Sequence, residues 1–100
     1  MERRVLFIID SDPRLSHRPA EAVRIAAGIA VWKQVELSLY FRGASQLALT
    51  DEAETLVNGD HFTRYLPLLR ESDARLLSSD HTTEDELAAW AAKQTTVTRF

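Results

Sequence analysis

The sequence predicts an α/β domain built on a mainly parallel sheet with helices on both faces. Residues 5 to 9, "VLFII", form a continuous apolar run, as a strand buried on both sides does. Strand-like segments alternate with helix-like ones along the whole chain, the order expected of crossover connections in a parallel sheet. One hundred residues make a single domain, 1–100, with no room for a second.

Each element has its own justification. Val5 to Ile9 is bounded by Arg4 and Asp10 and gives the first strand. A polar loop, "DSDPRLSHR", covers residues 10 to 18. Pro19 suits a first helical turn, where its missing N–H has no partner to lose. The Ala-rich segment 19–32, "PAEAVRIAAGIAVW", follows as a helix able to lie close to a sheet. Gly28 within it costs about 1 kcal/mol relative to Ala, and close packing on a strand is the expected reason. In "VELSLYF", 35–41, Val35, Leu37, Leu39 and Phe41 alternate with Glu36, Ser38 and Tyr40. That pattern predicts a strand with one less buried face, near a sheet edge.

A turn and short helix are expected over 42–49, "RGASQLAL". The polar stretch 50–60 offers Thr50 as the cap of one helical turn and Asn58-Gly59 as a turn signal. In 60–72, Phe62, Tyr65, Leu66 and Leu69 share one helical face, with Asp60 as N-cap and Pro67 forcing a bend or a late start. "ARLLS", 74–78, reads as a third strand. Helix 82–93 opens with a Thr83/Glu86 capping box and buries Leu87, Trp90 and Ala91. "TVTRF", 96–100, is the last strand.

Composition narrows the function. A net charge of -3 argues against non-specific binding to nucleic acid or anionic membranes. The absence of cysteine excludes disulfides, thiolate metal sites and thiol catalysis. The apolar stretch 25–32 is too short to span a bilayer, and "MERRVLFIID" is not a signal peptide, so a cytoplasmic location is expected. A chain this short is marginally stable alone, which makes self-association plausible.

In an open parallel sheet, ligands bind beyond the carboxyl ends of the strands. Three loops meet that edge: "DSDPRLSHR", "RGAS" and "SSDHTT". "FIIDSDPRL" resembles the first motif of haloacid dehalogenase-like hydrolases, where the first Asp attacks phosphorus and the second serves as acid/base. Against this, Arg14 follows Asp12-Pro13 where Thr or Val is expected, and no later Asp pair follows a strand. A receiver domain fails for want of its later strand-end Asp and Lys. Asp10, Asp12, His17 and His81 lack the tight spacing of a metal motif, and no metal or cofactor is expected. Arg14, Arg18 and Arg42 flank the loops and could hold an anion, but the first loop has no glycine to cradle phosphate. Ser78 and Ser79 lack a nucleophile elbow, and His61 reads as surface. The plainest reading of "DSDP" is structural: acceptors ending a buried strand, and a turn opened by Asp12-Pro13.

As a whole the chain resembles the DsrE/DsrF-like family, which includes the subunits of the Tus sulfur-relay complex. The resemblance rests on "RVLFIIDSDP" with "RPAEAVRIAAGIAVW", on "VELSLYFRGASQLAL", on "YLPLLRESDARLLSSD", and on "EDELAAWAAKQTTVTRF". It implies a three-layer, flavodoxin-like domain with a four- or five-stranded sheet that assembles into oligomers. Its sulfur-carrying members present a cysteine after the third strand. Here Ser78 and Ser79 stand in that region, and a hydroxyl cannot hold a persulfide.

The expectation is therefore a non-catalytic module that self-associates or binds related subunits, without nucleic acid, membrane or cofactor. Tyr40, Phe41, Phe62, Tyr65 and Trp90 are its candidate interface aromatics, each also suited to the core. The rival is a small-ligand site, for an anion or nucleotide, or a minor hydrolase, at the strand ends. Its residues would be Asp10, Asp12, Arg18, Arg42, Ser78, Ser79 and His81.

Overall fold

A computed structural model describes residues 3–31 and 35–100. The elements are β1 (Arg3–Ile9), α1 (Arg18–Ala30), β2 (Val35–Phe41), two 3-10 segments (Gly43–Leu49 and Asp51–Thr55), α2 (Gly59–Glu71), β3 (Arg75–Ser78), α3 (Glu84–Ala92) and β4 (Thr96–Arg99). All the strands are parallel, in the order β3-β2-β1-β4. From β1 the chain steps outward through β2 to β3, and α3 then carries it back to the far side of β1. The expected α/β class, with a parallel sheet between helical layers, is the fold observed.

The reversal divides the helices. Alternate residues of β1, Phe7 and Ile9, meet α1 and α2 in the larger core, with Val23, Phe62 and Leu69. The other set, Leu6 and Ile8, faces α3 and packs with Tyr40 and Leu87. Strand alternation thus fixes two cores of unequal size on one sheet.

β2 departs from expectation. It is an interior strand beside the β3 edge, and its supposedly less buried positions Ser38 and Tyr40 are buried. The reason is α3: Trp90 donates its indole N–H to the Ser38 hydroxyl at 3.3 Å, and Tyr40 donates its hydroxyl to the Thr82 carbonyl at 3.2 Å. The small polar residue that suggested solvent is a hydrogen-bond partner under a helix.

Gly28 also corrects the sequence reading. It is exposed, and a Cβ placed there would meet nothing within 4 Å, so close packing on a strand is not its reason. Gly59 is the glycine that packing demands, because a Cβ would lie 2.5 Å from the Ala53 carbonyl oxygen. Asn58 precedes it with φ of 53°, and this pair, not Asp60, starts α2. The helix runs on through exposed Pro67 to Glu71, without the expected late start. α1 ends at Ala30, and the expected helical residue Trp32 lies outside the described residues. The α3 cap is as expected: Thr83 Oγ1 accepts the Glu86 N–H at 3.1 Å and donates to the Glu86 carboxylate at 3.1 Å. Among the described residues, no helix is long and apolar enough to cross a membrane.

Candidate functional site

The strand-end loops collect at one edge of the sheet but form two separate places. The first is the crevice between β1 and β4, where the strand order reverses and ligands of such folds usually enter. Here it is closed by the chain itself. The Phe100 carbonyl accepts the N–H groups of Asp10 and Ser11 at 3.0 and 3.2 Å. The Phe100 ring packs on Phe7, with centroids 4.8 Å apart. Arg18 donates to the Arg99 carbonyl at 3.1 Å, and Arg99 lies 3.6 Å from the Asp10 carboxylate. Asp10 and Arg18 thus bind the end of β4 to the start of the first loop.

Asp12 is turned inward on its own loop. Its carboxylate accepts the Arg14 backbone N–H at 2.9 Å and the Arg14 guanidinium at 3.0 and 2.8 Å. Those side-chain hydrogen bonds, then the backbone one, hold the Asp12 carboxyl below its ordinary pKa. Its backbone carbonyl accepts from Leu15 and Ser16, so Asp12-Pro13 does open a turn. Buried Pro13 accepts the Val57 N–H at 2.9 Å, tying this loop to the start of α2. An Asp whose oxygens are already occupied by Arg14 is poorly arranged to serve as an acid/base group.

The second place is a groove of about 660 Å³ beyond β2 and β3. Arg14, Gln46, Ser78 and His81 line it, with Leu47 and Leu76 as apolar wall. Ser79 stands just behind: its hydroxyl accepts the Gly43 N–H at 3.2 Å and its N–H donates to the Phe41 carbonyl at 3.0 Å. The Gln46 side chain accepts the Asp80 N–H at 3.1 Å, joining the loops after β2 and β3. Ser45, fully buried, donates to the Ile9 carbonyl at 2.6 Å and fixes the turn after β2 against the end of β1.

Arg42 belongs to neither place. It pairs with Glu84 at 2.7 Å across the end of the sheet, and the hydrogen bond to that carboxylate raises its pKa. The predicted residues therefore separate into four groups, the first being Asp12, which holds Arg14 within its own loop. Asp10 and Arg18 hold β4, Arg42 holds α3, and Ser78 and His81 share the groove with Ser79 at its back. Among the described residues, no three of His, Cys, Asp and Glu gather as a metal site would require. His61, expected at the surface, is half-buried, its ring 5.8 Å from Tyr65. Of the candidate interface aromatics, Tyr40, Phe41 and Phe62 are core. Tyr65 and Trp90 are half-buried.

Sequence reasoning missed Arg99, Phe100 and Gln46. The first two could have been found, since a parallel last strand must end at the same edge as the first. Gln46 carries no motif, and its contact with Asp80 depends on how the 3-10 segment is set.

No family model matches the sequence, and no curated protein does. Among solved structures, the crystal structure of the ychN protein from E. coli superposes with a TM-score of 0.82. The alignment covers 100% of each chain at 16% sequence identity. At that identity the likeness is one of fold.

Proposed function

We propose that this chain is a cysteine-free, DsrE-like association module of the cytoplasm, binding protein partners, itself included, and carrying neither persulfide nor a catalytic site. One observation carries the reading. Most of the polar groups that could have done chemistry at the strand ends are paired within the chain: Asp10 with Arg99, Asp12 with Arg14, Arg42 with Glu84, Ser79 with the Gly43 N–H. They brace the loops. The fold shared with the ychN protein supports the scaffold, and a cysteine-free sequence leaves no sulfur carrier upon it.

The test combines two measurements. Sedimentation velocity over a wide concentration range is expected to show species heavier than the 11.3 kDa monomer. Incubation with a persulfide donor is expected to leave the protein mass unchanged. A monomer at every concentration contradicts the association. Turnover of a phosphate ester that disappears in Asp10→Asn contradicts the absence of catalysis.

A second reading has one observation in its favour: Arg14, Ser78 and His81 line one open groove, with Asp80 beside them. A small anion would suit those donors. A melting temperature raised by inorganic phosphate, and not in Arg14→Ala, would support that reading over the first.

A further inference from the structure

β4 is the least covered element of the sheet. All of its residues are exposed, and among the described residues it pairs only with β1. Its backbone polarity can be read from its end. Phe100 donates its N–H to the Ile8 carbonyl and accepts from Asp10, so its backbone turns toward β1. Strand alternation turns Thr98 and Thr96 the same way, beside Phe7 and Val5 in the observed register. The N–H and C=O groups of Val97 therefore point to the open edge, as does the Arg99 N–H, while the Arg99 carbonyl is taken by Arg18.

Natural sheets blunt such edges with Lys, Pro or a bulge. The stretch from Gln94 to Thr98 contains no charge and no proline, and Thr-Val-Thr favours extended structure. The opposite edge, β3, begins at Arg75 between Asp73 and Asp80, whereas the one charge within β4 is Arg99, at its last position. Val97 also keeps 42% of its surface exposed.

We propose that β4 is a dimer seam: two copies of this chain pair their β4 strands antiparallel about a two-fold axis at Val97. This rests on the self-association proposed above and narrows it to one edge. An isologous contact needs a self-complementary surface, and an antiparallel edge strand is one. Charge selects the register. An axis at Arg99 would set two guanidiniums directly opposite, which is unfavourable. An axis at Thr98 would bring them closer than an axis at Val97 does. With Val97 at the centre, its N–H and C=O exchange hydrogen bonds with its twin, and each exposed valine gains an apolar neighbour. Thr96 then faces Thr98 of the other copy, a favourable cross-strand pair. The seam is short, which places the dimer at the weak, concentration-dependent end of specific association.

The geometry supplies a selective test. The Val97 N–H is not used in the ladder with β1, so Val97→Pro removes a seam donor from a position where an edge strand tolerates proline. Thr98→Pro, one residue on, removes an N–H that faces β1 and is expected to damage the fold. Val97→Lys places two ammonium groups across the axis and serves if the proline variant fails to fold. Light scattering should show the wild-type mass rising toward twice 11.3 kDa with concentration. Val97→Pro or Val97→Lys should stay monomeric there, with unchanged far-ultraviolet circular dichroism. Dimerisation of a folded Val97 variant at wild-type concentrations overturns the seam while leaving self-association standing. A wild type that is monomeric throughout overturns both.

Discussion

The two faces of the sheet are covered very differently. One carries α1, α2 and both 3-10 segments over a core running from Phe7 and Val23 to Phe62 and Leu69. The other carries, among the described residues, only α3, whose buried contribution is Leu87, with Trp90 and Ala91 packed beside it. Hydrophobic stabilisation follows the apolar area removed from water, so the first face holds the fold and the second is held by few contacts. β4 extends past even that thin cover. The less covered half is where a small domain has stability to gain from a partner.

Truncation should expose this asymmetry most strongly on the covered face. Phe62→Ala is expected to cost about 3–5 kcal/mol, read as a lower urea midpoint. That is a large share of the roughly 5–15 kcal/mol a domain holds, so global unfolding is the expected response. Leu87→Ala should cost about 2–3 kcal/mol. Its signature differs: faster amide exchange confined to α3 and β4, with β1 and β2 still protected. Equal loss of protection across the sheet would show that the two faces unfold as one.

Smaller changes sharpen the same contrast. Thr83→Ala removes the α3 cap and should cost about 1 kcal/mol, again seen first as α3 fraying. Gly28→Ala should stabilise the protein by up to about 1 kcal/mol in thermal melts, because a helix-interior glycine is replaced where nothing obstructs a methyl group.

The smallest effect is at Asp12. Arg14 lowers its folded pKa, so on acidification the unfolded chain takes up the proton first. Its stabilising contribution is present above the ordinary Asp pKa and is lost as pH falls through the lower folded value. Asp12→Asn should flatten that part of the acid denaturation curve, with a slight loss of stability at neutral pH, where the contribution is in force, and none at low pH.

Most of the architecture was legible because it depends on periodicity. "VLFII" announced a doubly buried strand, and Thr83 with Glu86 announced the start of α3. β2 was misjudged because alternation describes polarity, and Ser38 is polar yet buried under Trp90. The loop residues were found by type but not by pairing. Nothing near Asp10 in sequence names Arg99, and nothing near Arg42 names Glu84, because both pairs are made by crossovers. Those partners decide whether a strand-end carboxylate is a reagent or a brace.

The central claim is that this scaffold works by association through its less covered side. Amide exchange of the intact protein, followed by NMR at low and high concentration, tests it most directly. The account predicts that the Val97 and Arg99 amides gain protection as concentration rises, while those of β1 and β2 do not change. Exchange at Val97 and Arg99 that is fast and indifferent to concentration would contradict it.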